Sequence, residues 1–332
     1  MRIGLDLYSI GHLGLGPLEA LEFASSRGLE AVQFLEPSAI DRGLDPDRLD
    51  AVRSRADELG LSLEVGLPSP NPFGRLSPEG APTDPEDRAR WFRPHLEAVS
   101  ALGLSHARVF MGNRHDRFRE DVRWGDQLGA ASATIRALRA DLVGLGLRLA
   151  VETHADLTCE ELMRLVDALG DDVLGVTLDT GNLPMRLDDP VPTAERLAPL
   201  VLMTHAKDAV LGHSDRGLVW QARPVGEGCL PIPEILAILE SRTPGLNLSI
   251  ELHPRTYDLP IFDPAWLSFF PDLEPSSIAA VVRLADDCER QFRSGAMERP
   301  EVVEAIPWGL RAGPWIDRSA AFLRGILSRK SP

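Results

Sequence analysis

Four residues in the second half of the chain share one local setting. Glu152, Asp179, His205 and Glu251 each close a short apolar run: Leu149-Ala150-Val151-Glu152, Val176-Thr177-Leu178-Asp179, Leu202-Met203-Thr204-His205 and Leu248-Ser249-Ile250-Glu251. A buried strand has no need to end in a charge, because an unpaired buried charge is costly. Four runs that all stop on a carboxylate or an imidazole point to one shared site. Three carboxylates brought to one point repel each other, and a divalent cation resolves the repulsion. Oxygen-rich ligation with a single nitrogen points first to Mn²⁺, with Mg²⁺ or Co²⁺ also accommodated. Zinc sites usually carry more nitrogen or sulfur.

The rest of the chain reads as the scaffold for those four ends. Strand patterns fall at residues 3–8, 31–35, 61–65, 107–111, 147–152, 174–179, 201–205 and 246–251. Helical spacing returns between them, with stop signals such as Gly28, Gly60 and Gly103. Asp45-Pro46 reads as a cap and first helical residue, and Thr158 with Glu161 as a capping box. Short strands that are apolar on both faces and alternate with helices predict a (β/α)₈ TIM barrel. An open doubly wound sheet is disfavoured, because the Gly-rich stretch after the first strand contains no GxGxxG. The barrel is assigned to residues 1–295, and 296–332 to a C-terminal helical extension packed on it. The segment 66–85 holds six prolines and cannot be regular structure, so it reads as a lid, a substrate loop or a solvent-facing insertion. Residues 206–230 are expected to be a loop. In such a barrel the C-terminal strand ends converge on one face, so the last four strands bring Glu152, Asp179, His205 and Glu251 together.

Around these four, the segments Leu178-Asp179-Thr180-Gly181-Asn182, Thr204-His205-Ala206-Lys207-Asp208 and Gly226-Glu227-Gly228 resemble stretches of the xylose-isomerase-like barrel superfamily. Its D-tagatose and D-psicose 3-epimerases are the closer functional comparison. The resemblance covers residues 1–295 and implies a metal-dependent isomerase or epimerase of a ketose or related keto-sugar. In those epimerases two glutamates bind the metal and exchange the substrate proton, a role that maps onto Glu152 and Glu251. One carboxylate would take the proton next to a carbonyl to give an enediolate, and the other would return it. The epimerases carry a histidine where this chain has Asn182, and Asn can donate a hydrogen bond but cannot carry a proton. That departure loosens the link to hexulose substrates. The same barrel serves abasic-site endonucleases, but those need three zincs and many more histidines at the strand ends.

Other polar residues near the strand ends are expected to contact substrate: His154 and His253, each two residues past a glutamate, with Asn182, Lys207, His12 and Asn113, and the epimerase resemblance implies a sugar-binding arginine from the loop after the seventh strand, Arg223 with Arg216 as the alternative. Glu64, inside the third strand pattern, needs a partner such as an arginine if it points inward. Two further functions fit. A metal-dependent dehydratase or lyase on a keto-cyclitol or sugar acid starts from the same proton abstraction, with His154 or His253 as the acid. A non-catalytic metabolite-binding barrel has no need of two opposed glutamates. The net charge of −15 argues against nucleic acid as a partner, leaving a small sugar or cyclitol. Cys159, Cys229 and Cys288 match no disulfide or thiolate motif. With no signal-peptide pattern and no membrane-length apolar run, a cytoplasmic protein is expected. The acidic surface is compatible with a homo-oligomer.

Overall fold

The computed structural model describes residues 1–328. Eight parallel strands form one sheet: β1 (Arg2–Asp6), β2 (Ala31–Phe34), β3 (Ser62–Val65), β4 (His106–Val109), β5 (Arg148–Glu152), β6 (Leu174–Asp179), β7 (Val201–Ala206) and β10 (Asn247–Ile250). Their order is β3-β2-β1-β10-β7-β6-β5-β4. The ring closes where Gly66, just past β3, bridges Arg108 in β4, with Leu67 N donating to Arg108 O at 2.7 Å. Glycine is required there: a Cβ on Gly66 would lie 2.7 Å from Arg108 Nη2 and closer still to Leu35 O. The architecture is the (β/α)₈ barrel that the strand and helix alternation predicts.

Helices α1 (Pro17–Ser26), α2 (Pro46–Leu59), α3 (Pro85–Ala101), α4 (Trp124–Leu145), α5 (Cys159–Leu169), α6 (Pro190–Leu197) and α7 (Ile232–Arg242) cover the outside. Their starts follow the sequence. Asp45 Oδ1 accepts from Asp47 N at 3.0 Å ahead of Pro46. Thr158 and Glu161 form the reciprocal capping box on α5. Glu161 also binds the buried Arg117 and accepts from Trp124 Nε1 at 3.2 Å, which ties α4 to α5.

The expectation of a loop over 206–230 is corrected. Lys207 alone separates β7 from β8 (Asp208–Ser214), which turns at Asp215-Arg216 into β9 (Gly217–Arg223). A third strand, β11 (Thr256–Leu259), pairs antiparallel with β9, giving a small sheet over one edge of the barrel mouth. Two apolar runs flanking a two-residue turn carry the hairpin. Asp208 anchors its base, accepting from the N–H groups of Ala209, Gly226, Gly228 and Leu230 at 2.8–3.2 Å. The Gly226-Glu227-Gly228 stretch is thus a backbone wrap around a carboxylate.

The segment 66–85 is irregular but pinned. Asn71 Nδ2 donates to Met111 O at 2.7 Å and to Gln127 Oε1 at 3.0 Å, and the buried Arg88 donates to Ser69 O at 2.6 Å. Past β11 come α8 (Pro264–Leu267), α9 (Pro275–Ser294), α10 (Pro300–Glu304) and α11 (Trp308–Ser328). Helix α9 packs on β8, and α11 packs on β1 and β10. Trp315, Ile316, Ala320 and Leu323 of α11 are part of the main apolar core. No described helix is long and apolar enough to cross a membrane.

Candidate metal centre

The pairing of the last four barrel strands determines which side chains meet. Asp179 at the end of β6 stands opposite His205 in β7. Ile250 stands opposite Ala206, so Glu251 is the first residue beyond that pair, and its N–H reaches Ala206 O at 3.4 Å. Glu152 ends β5 on the other side of β6. The result is one cluster: a ligand atom from each of Glu152, Asp179, His205 and Glu251 lies within 4.8 Å of the others, all four residues being buried.

His205 Nδ1 lies 3.4 Å from Glu251 Oε2, 3.5 Å from Glu152 Oε1 and 3.6 Å from Asp179 Oδ2. It makes no hydrogen bond. That spacing is close to the roughly 3–3.5 Å kept by neighbouring ligands around a cation with bonds of about 2.1 Å. The other ring nitrogen, Nε2, meets the Gln33 amide at 2.8 Å and Asp6 Oδ2 at 3.3 Å. Gln33 Oε1 is buried without a partner, and turning the amide over makes it the acceptor for an Nε2 proton. Nδ1 then carries the lone pair that faces the carboxylates.

Charge leads to the same conclusion. Asp6, Glu152, Asp179 and Glu251 set four negative charges against Arg108 and Lys207, all of them buried. Arg108 Nη1 binds Glu152 Oε2 at 2.9 Å. Lys207 Nζ binds Asp179 Oδ2 at 2.8 Å and also pairs with Glu251. Two uncompensated negative charges remain, which a divalent cation balances. Its donors would be Glu152, Asp179, Glu251 and His205 Nδ1, so the residues present fit such an ion.

The same fields tune the surroundings. Burial works against the charged form of Glu152, yet His205, His154 and Arg108 hold it below the usual carboxylate range. Burial likewise opposes ionisation of Glu251, and Lys207 with His205 overrides it. Lys207 is kept charged against burial by Asp179 and Glu251. His253 is pushed down to about 3 by burial and then by Lys207, so it enters the site as a neutral ring. Asp179 Oδ1 accepts from Gly181 N at 2.9 Å and Asn182 N at 3.2 Å, and Oδ2 accepts from Asn182 Nδ2 at 2.7 Å. Asn182, in the position that departs from the epimerases, therefore orients a metal-type carboxylate.

A cavity of about 430 Å³ opens over the cluster. Of the residues expected to contact substrate, His154, Asn182, Lys207 and His253 line it. His154 Nδ1 meets Gly112 O at 3.0 Å, so it donates there. Arg223, His12 and Asn113 do not line it. Arg223, the last residue of β9, donates to Glu298 O at 2.8 Å and to Gln221 two residues before it. His12 is exposed and packs its ring 6.2 Å from Trp308. Asn113 Oδ1 accepts from His115 N at 2.8 Å within its own turn. Glu64 does point inward, but its partner is the Ser249 hydroxyl at 2.7 Å and not an arginine.

Sequence reasoning missed Asp6, Gln33 and Arg108. Asp6 ends β1 as Glu152 ends β5, so the rule that found four strand ends could have found a fifth. Lys207 carries a signal of its own: the chain has only two lysines, Lys207 and Lys330, among 35 basic residues. A compact ammonium fits between two carboxylates where a planar guanidinium would not. Pro68 and Leu67 of the pinned segment join the cavity wall, as do Tyr8, Phe110, Arg255 and Tyr257. Trp220 of β9 stands behind it, stacked 5.5 Å from Tyr257 and donating from Nε1 to Gly181 O at 2.9 Å.

Comparison with known proteins agrees with this fold. The chain is 24% identical over 262 residues to the 3-oxo-isoapionate decarboxylase of Pectobacterium atrosepticum, covering 76% of this chain and 85% of that protein. A D-psicose 3-epimerase crystallised in the presence of D-fructose superposes with a TM-score of 0.59 at 17% identity, over 88% of this chain and 98% of the other. A probable 3-DHS dehydratase, AsbF, from Bacillus anthracis does so with a TM-score of 0.54 at 14% identity, over 86% and 97%. The clustered ligand set on this barrel marks a metal-dependent enzyme. Residues 21–268 match the model of the xylose isomerase-like TIM barrel, and the chain belongs to that family.

Proposed function

We propose that this enzyme isomerises or epimerises a ketose or related keto-sugar by moving a proton on the carbon next to a carbonyl. The observation that carries the reading is the pair Glu152 and Glu251, which reach one cluster from non-adjacent strands β5 and β10 below a cavity of sugar size. A bound divalent ion, Mn²⁺ in our reading with Mg²⁺ or Co²⁺ as alternatives, would supply Lewis acidity toward a carbonyl and its neighbouring hydroxyl. The remaining work falls to the chain. One glutamate takes the proton and the other returns it, each within direct reach of the carbon. Lys207, fixed in its charged form, stabilises the negative charge that develops on oxygen. His154 and the neutral His253 offer ring nitrogens to hydroxyls, and Asn182 holds Asp179 in place. We take the partner to be a small sugar or cyclitol and the enzyme to be cytoplasmic.

A second reading is favoured by the ion pairs themselves. Against burial, His205 and then Arg108 lower the basicity of Glu152, and Lys207 with His205 that of Glu251, which weakens a two-base proton exchange. A lyase that loses carbon dioxide or water from a keto sugar acid needs less base and more stabilisation of the anion that forms. Lys207 would supply that stabilisation. The decarboxylase named among the relatives belongs to this class of reaction. His253, neutral with its value near 3, does not suit the role of acid for a leaving hydroxyl.

Solvent deuterium incorporation over a panel of ketoses, inososes and keto sugar acids, with Mn²⁺ present, separates the two. Isomerase chemistry gives exchange at carbon, with the carbon skeleton and oxygen count retained. Lyase chemistry gives a product shortened by carbon dioxide or water. Glu152→Gln and Glu251→Gln variants that retain the ion and full exchange would rule out the proposed proton transfer.

A further inference from the structure

Next to the metal cavity lies a second one of about 250 Å³, and Met185 and Tyr257 line both. Its charged lining is unlike the rest of this acidic molecule. Arg114, Arg186 and Arg216 face it with His115, and Asp258, which is exposed, is the only acid on its wall. Most arginines with resolved partners in this structure are held by carboxylates or backbone carbonyls. These three guanidinium groups make no ion pair with a described carboxylate. Arg114 lies over the Tyr257 ring at 4.4 Å, and Arg216 is exposed at the hairpin turn.

Arg186 is the telling member. Its residue is 3% exposed, its Nε is buried without a partner, and its guanidinium makes no hydrogen bond among the described residues. Two ring faces lie near it, Phe270 at 5.6 Å and Phe118 at 6.0 Å, and the carboxylates of Asp156, Glu161 and Asp188 act on it from a distance without closing an ion pair. An unpaired buried cation is costly, and burial followed by the charge of Arg117 pulls it down to about 9. The neighbouring His115 is also held below its ordinary value, by burial and then by Arg114 and Arg75. The backbone fixes Arg186 in this position. It ends a turn of 3₁₀ helix, Leu183–Arg186, and the next residue, Leu187, is buried with φ +60. A left-handed leucine costs about 1 kcal/mol or more and persists only where packing holds it. The same turn begins at Asn182, which touches Asp179, so the placement of Arg186 is tied to the metal cluster through a few residues.

We propose that Arg186, Arg114 and Arg216 form a subsite for an oxyanion, a carboxylate or a phosphate ester, carried by the substrate at the end away from its reacting carbonyl. The assignment rests on the reading that the adjoining cavity receives a keto-sugar, and it narrows the substrate class to sugar acids or sugar phosphates. Planar guanidinium groups match both kinds of oxyanion. The shared wall of Met185 and Tyr257 sets the two cavities side by side, as one extended molecule with two recognised ends requires.

The test is calorimetric binding to the full chain loaded with Mg²⁺, with inorganic phosphate, D-gluconate and uncharged D-glucitol as probes. Phosphate or gluconate is expected to bind, glucitol at least tenfold more weakly. Binding of the anion should fall tenfold or more in Arg186→Gln and several-fold in Arg114→Gln, with Arg186→Lys intermediate. A preference for phosphate identifies an ester, and a preference for gluconate identifies an acid. Anions that bind no better than glucitol, or equally to wild type and to a folded Arg114→Gln or Arg186→Gln, overturn the subsite. An anion held only by the metal ion gives that second result. Failure of the proton-transfer reading would appear in the deuterium experiment and leave this binding unchanged.

Discussion

Replacing Lys207 by Met tests the charge balance of the site directly. The ammonium lies 2.8 Å from Asp179 Oδ2, pairs with Glu251, and its side chain is 2% exposed. One such contact has a gross Coulomb energy of about 6 kcal/mol at an effective dielectric of about 20. Removing one partner of a buried pair costs about 3–5 kcal/mol net. Taking about 4 kcal/mol, and an unfolding entropy near 2.1 cal/mol/K per residue, the midpoint of the metal-free protein should fall by about 6 °C. A divalent ion restores much of the lost charge compensation. Saturating MnCl₂ should therefore raise the melting temperature of Lys207→Met more than that of the wild type. Without the nearby positive charge, Mn²⁺ should also bind the variant about tenfold or more tightly, while turnover falls. Scanning calorimetry on chelator-treated and Mn²⁺-loaded samples, with titration calorimetry for Mn²⁺, reads all of these. An identical metal-induced gain in both proteins, or weaker Mn²⁺ binding in the variant, would refute the balance of four carboxylates, two cations and one divalent ion.

Glu64 is 4% exposed, and its pKa is raised to about 7 by burial, against the Ser249 hydrogen bond. The folded state then holds a proton that the unfolded chain releases above about pH 4.5, so this group lowers stability as pH rises from about 5 to 8. Glu64→Gln keeps an acceptor for Ser249 and should match the wild type near pH 5 but exceed it by up to about 3 kcal/mol at pH 8. Urea unfolding at the two pH values measures the difference, and a gap that narrows with rising pH would contradict the assignment. At Gly181 an added Cβ would meet Lys207 Cγ and Cδ at 2.6 Å, so Gly181→Ala should cost about 1–3 kcal/mol and lower turnover by displacing the lysine. Unchanged activity in that variant would mean Lys207 needs no fixed position. Trp220→Phe removes the hydrogen bond to Gly181 O, with an expected loss of about 1–2 kcal/mol in urea unfolding and weaker substrate binding.

The four strand ends were legible because a parallel barrel turns sequence order into spatial order. Glu152, Asp179, His205 and Glu251 close successive barrel strands, and their neighbours in the sheet are also their successors in sequence. The partners that set their charge and tautomer follow no such rule. Arg108 sits inside the run Ala107-Arg108-Val109 and looks like an interruption of a strand until β5 is laid beside it. Gln33 reaches His205 across β1 and β10, a contact between residues 172 apart in sequence. Arg223, an arginine that the epimerase resemblance places on the sugar, lies where the sequence reads as a loop, and the hairpin carries it away to the C-terminal helices. Arg186 sits in a turn whose meaning depends on what its guanidinium lacks, and that emerges only with the fold.

The hairpin that replaces the expected loop also bears on how a ligand would enter. Its backbone is hydrogen-bonded strand to strand from Asp208–Arg223 through Ser214–Gly217, and β11 extends it. Tyr257 and Trp220 are therefore already stacked before anything binds. A wall made of flexible loop would have to be ordered at each encounter, at about 0.5–1.5 kcal/mol per immobilised side chain. Here that ordering entropy is lost once, during folding. Association should accordingly resemble that of a rigid receptor, with a heat-capacity change set by the apolar area covered and little added by a folding segment.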